Sequence, residues 1–133
     1  MNISIIGLGY VGLPTMLLIS KTKNKVFGYD KNSKLINSLS KGKNIENYTT
    51  EKKIISLYKK QLISNKLNFA DSLKVSEVYI VCVPTPINIK KKADTKFIDK
   101  ALLEISKVIK RNDLVVIEST IPLNYCKKAY KIL

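Results

Sequence analysis

Gly7-Leu8-Gly9-Tyr10-Val11-Gly12 is the stretch of this chain whose residue types and spacing point most directly to chemistry. It follows a short β-rich run, Asn2 to Ile6, and opens a mostly apolar helical stretch, Val11 to Ser20. A GxGxxG stretch by itself is weak evidence, but between a strand and a helix each glycine has a use. Gly7 permits a tight turn, Gly9 leaves room for a pyrophosphate against the backbone, and Gly12 lets the helix lie close to the strand. The start of the helix then offers free N–H groups and the positive end of its dipole to phosphate. Asp30 ends a second strand-like run, Lys25 to Tyr29, at the distance the fingerprint asks of its acidic residue. A carboxylate there can accept hydrogen bonds from an adenosine ribose and repels a 2′-phosphate, which favours NAD over NADP. Lys31 and Lys34 stand nearby and work against that preference.

Two more polar stretches fall at expected strand ends. Pro84-Thr85-Pro86 follows the run Val78 to Val83, and Glu118-Ser119-Thr120 follows Leu114 to Ile117. Each alone is equally consistent with an ordinary strand exit. The chain contains no histidine, which excludes a His-based triad, a His general base and an HExxH zinc site. Cys82 and Cys126 lie far apart with no metal-ligand spacing, so no metal site is expected.

The elements that must position these residues alternate. Val78 to Val83 reads as a strand buried on both faces, and Leu114 to Ile117 as another buried strand. Lys25 to Tyr29 and Leu67 to Ala70 complete the strands with Asn2 to Ile6. Helical spacing marks Ser33 to Ser40, Thr50 to Gln61, Thr95 to Lys110 and Asn124 to Leu133, with a short helix or turn at Asp71 to Glu77. On the clearest of these helices Ile98, Ala101, Leu102, Ile105, Val108 and Ile109 form one apolar stripe. Lys41 to Thr49 and Pro84 to Ala93 read as loops. This order predicts an α/β fold: a Rossmann-type, doubly wound parallel sheet with helices on both faces. Ligands of such sheets bind beyond the carboxyl ends of the strands, at the switch point.

The 133 residues suit one domain, 1–133, and hydrophobic residues make up 45% of them, enough for a core. No run has transmembrane length, and the amino terminus lacks the pattern of a secretory signal, so a cytoplasmic location without membrane contact is expected. The net charge is +14. Its lysines are scattered and Arg111 is the only arginine, so charge alone does not argue for nucleic-acid binding.

Taken together, Gly7 to Pro14, Asp30, Val81-Cys82-Val83-Pro84-Thr85-Pro86 and Glu118-Ser119-Thr120-Ile121-Pro122 resemble the N-terminal domain of the UDP-glucose/GDP-mannose dehydrogenase family. The resemblance covers essentially the whole chain. It implies an oxidoreductase of polysaccharide biosynthesis that converts C6 of a nucleotide sugar to a carboxylate with two NAD⁺. The implied cofactor-binding residues are Gly7, Leu8, Gly9, Tyr10, Val11, Gly12, Asp30, Thr85 and Thr120. Thr85 and Thr120 would face the nicotinamide, and Thr120 would assist catalysis. Val83 to Asn88 looks more like members acting on UDP-N-acetylhexosamines. Three departures stand out: Leu35 where many members have lysine, Ala93-Asp94-Thr95 in place of Pro-Asp-Leu, and Leu123-Asn124 where a glycine usually follows proline.

The resemblance also implies a nucleophilic cysteine in a C-terminal, glycine-rich segment that this sequence lacks. Neither Cys82 nor Cys126 has that context. The chain is therefore expected to be a truncated dinucleotide-binding domain, without the substrate domain and inactive alone. NAD(H) is its expected partner, with a nucleotide sugar only in a full-length enzyme. An apolar patch exposed by the missing neighbour would invite self-association. Two alternatives remain: a standalone nucleotide-binding Rossmann domain without activity, or another two-domain NAD(P) dehydrogenase.

Overall fold

The computed structural model describes residues 1–133 except Asn44, Asn88 and Lys90. Five strands alternate with helices: β1 (Asn2–Ile6), α1 (Gly12–Ile19), β2 (Lys25–Tyr29), α2 (Ser33–Ser40), α3 (Lys52–Ile63), β3 (Asn68–Ala70), β4 (Val78–Val81), α4 (Lys96–Ser106), β5 (Leu114–Ile117) and α5 (Tyr125–Ile132). All pairings are parallel and the sheet order is β3-β2-β1-β4-β5. The chain thus winds outward one way from β1 through β2 and β3, then crosses back to β4 and β5. The reversal lies between β1 and β4, at the carboxyl end of Ile6 and Val81.

Side-chain alternation on β1 explains the two layers. Ile3 and Ile5 enter a cluster with Leu13, Met16 and Leu17 of α1, Ile36 and Leu39 of α2, and Tyr58 of α3. Ile6 enters a second cluster with Tyr79, Val81, Ile98, Leu102, Ile105 and Tyr125. Helices α1 to α3 therefore cover one face and α4 and α5 the other. Ser4 points to the second side and is satisfied by Lys74 O at 3.0 Å and Ser76 Oγ at 2.8 Å. The buried Tyr58 hydroxyl donates to Leu39 O, tying α3 to α2.

The expected doubly wound parallel sheet is present, and several boundaries move for visible reasons. The segment Asp71 to Glu77, expected as a short helix or turn, is not helical. Its backbone is held in a bend instead, by Ser4 to Lys74 O and by Ser76 N donating to the Tyr79 hydroxyl. The strand expected to run to Val83 stops at Val81, and it is fully buried only at Tyr79 and Val81. Strand β5 is an edge strand among the described residues rather than a buried one: Leu114 is exposed and the rest half-buried. Helix α4 ends at Ser106, because the amides of Val108 and Ile109 both turn back to Ile105 O. Val108 and Ile109 still pack on the core from outside the helix. The polar loop expected at Lys41 to Thr49 contains a 3₁₀ turn, Ile45–Asn47, that buries Ile45. Helix α3 starts at Lys52, since Thr49 Oγ1 accepts from Glu51 N and holds the preceding residues in a turn.

Candidate dinucleotide site

The turn after β1 is built around Gly7, whose φ of +90° is a region L side chains rarely adopt. A Cβ there would also press on the Cys82 carbonyl. Gly7 N donates to Tyr29 O at 2.8 Å, extending the β1–β2 ladder into the turn. Gly12 opens α1, and a Cβ on it would overlap the Gly7 carbonyl oxygen. Its constraint is chiefly the turn itself, a refinement of the expected helix–strand approach. That approach is served by Gly28 in β2, where a Cβ would stand 2.6 Å from Met16 Sδ. Gly9 differs from both: a Cβ there would meet nothing within 4 Å. The position faces open space, as a backbone meant for a close-lying ligand requires.

Helix α1 has no side-chain cap: Val11 occupies the N-cap position. In its first turn Leu13 N already donates to Gly9 O at 3.2 Å and Pro14 has no N–H, which leaves Gly12 N as the open amide; no side chain caps it. An uncapped N-terminus beside an open glycine fits a pyrophosphate.

Asp30 follows β2 and is held from two sides. Its Oδ2 accepts from Leu8 N and its Oδ1 from Asn32 N, both at 2.8 Å. The acid is thus part of the glycine turn before any ligand arrives. Asn32 in turn caps α2 through Leu35 N.

Gly7, Gly9, Tyr10, Val11 and Asp30 line one side of a cleft of ≈ 400 Å³, with Leu35 beside them. Cys82, Val83, Pro84, Thr85, Glu118, Ser119 and Thr120 line the other. The cleft spans the β1–β4 reversal, so the structure brings Gly7, Gly9, Tyr10, Val11, Asp30, Thr85 and Thr120 together. Leu8 and Gly12 are not brought to its surface. The Leu8 side chain is fully buried in the core and contributes only its amide, to Asp30. Asn88, at the end of the Val83 to Asn88 segment, lies outside the described residues.

Three participants escape a motif reading. Leu35 was visible only as a departure from a family pattern, yet it lines the cleft and adds an apolar wall where a lysine would add charge. Tyr48 places its ring 5.7 Å from that of Tyr10. Burial, then the charge of Asp30, raises its phenol pKa. No spacing rule connects Tyr48 to Gly9. Cys82, expected inside a buried strand, instead stands just past β4 and lines the cleft. Burial, then Glu118, pushes its thiol up to about 11, so it is almost wholly protonated at neutral pH and a poor nucleophile. Among the described residues, no group of three or more His, Cys, Asp or Glu could hold a metal ion.

At the opposite end of the sheet, Lys21, Lys23, Lys25 and Lys66 rim a second groove of ≈ 570 Å³. It lies where α1 and α3 end.

A parallel sheet reversed at β1–β4, a glycine turn, an uncapped helix and an acid after β2 define a dinucleotide-binding domain of Rossmann type. The whole chain, residues 1–133, matches the family described as UDP-glucose/GDP-mannose dehydrogenase family, NAD binding domain. The chain belongs to that family, and its cofactor is NAD. A UDP-N-acetyl-D-mannosamine dehydrogenase of Methanococcus maripaludis is 38% identical, covering 99% of this chain and 31% of that protein. The solved UDP-N-acetyl-D-mannosamine dehydrogenase of Pyrococcus horikoshii superposes with a TM-score of 0.89 at 34% identity, covering 99% of this chain and 31% of that one. A ternary complex of GDP-mannose dehydrogenase from Pseudomonas aeruginosa gives 0.85 at 28% identity, covering 97% and 30%. The chain therefore spans about a third of the length of the relatives it matches. No helix among the described residues is long and apolar enough to cross a membrane.

Proposed function

We propose that residues 1–133 form the cofactor half of a nucleotide-sugar 6-dehydrogenase of the UDP-N-acetylhexosamine type. The observation that carries this reading is the cleft at the β1–β4 reversal, with Asp30 on one side and Thr85 and Thr120 on the other. The names of the relatives support the sugar class. Bound there, NAD⁺ supplies a hydride acceptor. Oxidation of a C6 alcohol to a carboxylate removes two hydrides and adds the oxygen of one water, so it consumes two NAD⁺.

In this reading the glycine turn at the start of α1 holds the pyrophosphate, with Tyr10 and Val11 beside it. Leu8 acts through its amide, Gly12 by letting the turn close, and Asp30 accepts from the adenosine ribose. Thr85 and Thr120 face the nicotinamide half, with Thr120 assisting near the reacting carbon. The thiol chemistry of the second oxidation belongs outside these residues, since Cys82 is held protonated and Cys126 sits exposed on α5. The chain alone is then a binder of NAD(H) without turnover, working in the cytoplasm. Leu114, Leu123 and Tyr130 expose apolar surface, which supports self-association at high concentration.

Calorimetric titration with NAD⁺ and NADP⁺ at moderate salt tests the reading. Saturable binding that prefers NAD⁺, with no sugar-nucleotide oxidation by the chain, is the expected result. Tighter binding of NADP⁺ would assign the site to a different dehydrogenase class.

A further inference from the structure

This inference rests on the cofactor reading above. A dinucleotide lying across the β1–β4 reversal with its adenosine ribose at Asp30 must place its other half on the β4–β5 side. That side is formed by the exits of β4 and β5, which carry Thr85 and Thr120. The β4 exit is poorly tethered. Cys82 N donates to Ile6 O at 2.8 Å, but Pro84 and Pro86 have no N–H to give. The next backbone anchor among the described residues is Asp94 N to Pro86 O at 2.7 Å. Between these two points a single hydroxyl intervenes: Ser119 Oγ donates to Val83 O at 2.7 Å. The same oxygen lies 3.3 Å from Val81 O. With one proton to give, the shorter contact is the working bond. The β5 exit is itself fastened to β4, through Glu118 N at 3.0 Å and Ser119 N at 3.3 Å, both to Val81 O.

We propose that Ser119 is a positioning residue for the nicotinamide half of the cleft, its hydroxyl pinning the proline-flanked β4 exit and so fixing Thr85 relative to Thr120. Val83 is two residues before Thr85, and Ser119 adjoins Thr120. One hydrogen bond therefore sets the spacing of two loops that share no other bond among the described residues beyond the strand ends. The prolines make the serine necessary, because they remove the amides that would otherwise hold that backbone.

The test is titration of the 133-residue chain and its Ser119→Ala, Ser119→Cys and Ser119→Thr variants with NAD⁺ and, separately, with ADP. ADP reaches Asp30 and the glycine turn but not the far side. For Ser119→Ala, NAD⁺ is expected to bind about three- to tenfold more weakly, the worth of one hydrogen bond, with ADP within about twofold of wild type. Ser119→Cys, near-isosteric with a weak donor, gives the same split and keeps the test alive if the alanine variant does not fold. Ser119→Thr restores NAD⁺ binding. Unchanged NAD⁺ affinity in the alanine and cysteine variants overturns the proposal, and so does an equal loss for both ligands, which marks a general structural role. A wild-type chain that binds neither ligand overturns the cofactor reading itself.

Discussion

Removing the Asp30 carboxylate damages the fold and the site together, and the two losses can be separated. The acid accepts from two amides of unequal exposure. Leu8 is fully buried, so without Asp30 its N–H has no partner and costs about 1–3 kcal/mol. Asn32 N is exposed, and water replaces the acid there at little cost. Taking about 2.1 cal/mol/K per residue as the unfolding entropy, the 133 residues give about 280 cal/mol/K. Asp30→Ala should then lower Tm by about 4–11 °C. Asp30→Asn should cost less than about 1 kcal/mol, because its carbonyl oxygen can still accept from Leu8 N while its amide faces the replaceable contact. Differential scanning calorimetry without ligand, at matched pH and salt, reads the order wild type, Asn, Ala. NAD⁺ titration on the two variants then reads the ribose contact against a known stability baseline. An Asp30→Ala chain melting within about 1 °C of wild type would refute the reasoning, since the Leu8 amide would then be satisfied without the acid.

The second and third glycines of the turn should separate the same way by a different route. Gly9→Ala enters open space and should leave Tm within about 2 °C while weakening NAD⁺ at least tenfold, whereas Gly12→Ala overlaps the Gly7 carbonyl and should lower both stability and binding; calorimetry and titration on the pair decide. Between α4 and α5, Asp99 Oδ1 accepts from the Tyr125 hydroxyl and Oδ2 from Lys128 Nζ, both at 2.6 Å. Burial raises the Asp99 pKa, but hydrogen bonds from Lys128 and Tyr125 outweigh it and hold the acid below its ordinary value. A depressed folded pKa means that the stabilisation is present above the unfolded value near pH 4 and lost as pH falls through the folded one. Asp99→Asn should flatten that acid limb in a plot of Tm against pH, and an unaltered limb would assign it to other carboxylates. Tyr125 is shifted upward, first by burial and then by its bond to Asp99, so its contribution should persist through neutral pH and fade only above about pH 10. At pH 7.5 iodoacetamide should label the exposed Cys126 well before the protonated Cys82, and NAD⁺ should slow the residual Cys82 reaction; mass spectrometry of the two peptides checks the order.

The strand and turn residues made much of this legible in the sequence. β1, β2, α2 and β5 fall where period and composition put them, because each is short and bounded by Gly, Asp, Asn or Pro. The glycine turn and Asp30 were readable because their spacing reports backbone geometry, which sequence encodes locally. What sequence did not carry was long-range. The bend at Asp71 to Glu77 depends on Ser4, some seventy residues away. β5 reads as buried because Leu114 to Ile117 is apolar, but an edge position is a property of the sheet and not of the strand. Tyr48 reaches Tyr10 only because the 3₁₀ turn buries Ile45 and folds that loop back toward the glycines. Ser119 reads as one polar residue of a strand exit, since nothing local says that its hydroxyl crosses to the β4 exit.

The two sides of the cleft are therefore held by unequal means. A carboxylate can accept about four hydrogen bonds, and Asp30 receives two from the backbone. Two remain, the number that the neighbouring hydroxyls of a ribose can fill. The adenosine side is set by an ionised group against a fully buried residue, next to the central strands. On the far side the two exits are joined, past the strand ends, by one neutral hydroxyl, beside an edge strand with no fully buried residue. Charge-assisted bonds are roughly twice as strong as neutral ones, so the β2 side is the stiffer of the two. Recognition of the adenosine half should then survive changes in the β4 and β5 exits, and the difference between NAD⁺ and ADP binding becomes a gauge of how well those exits are placed.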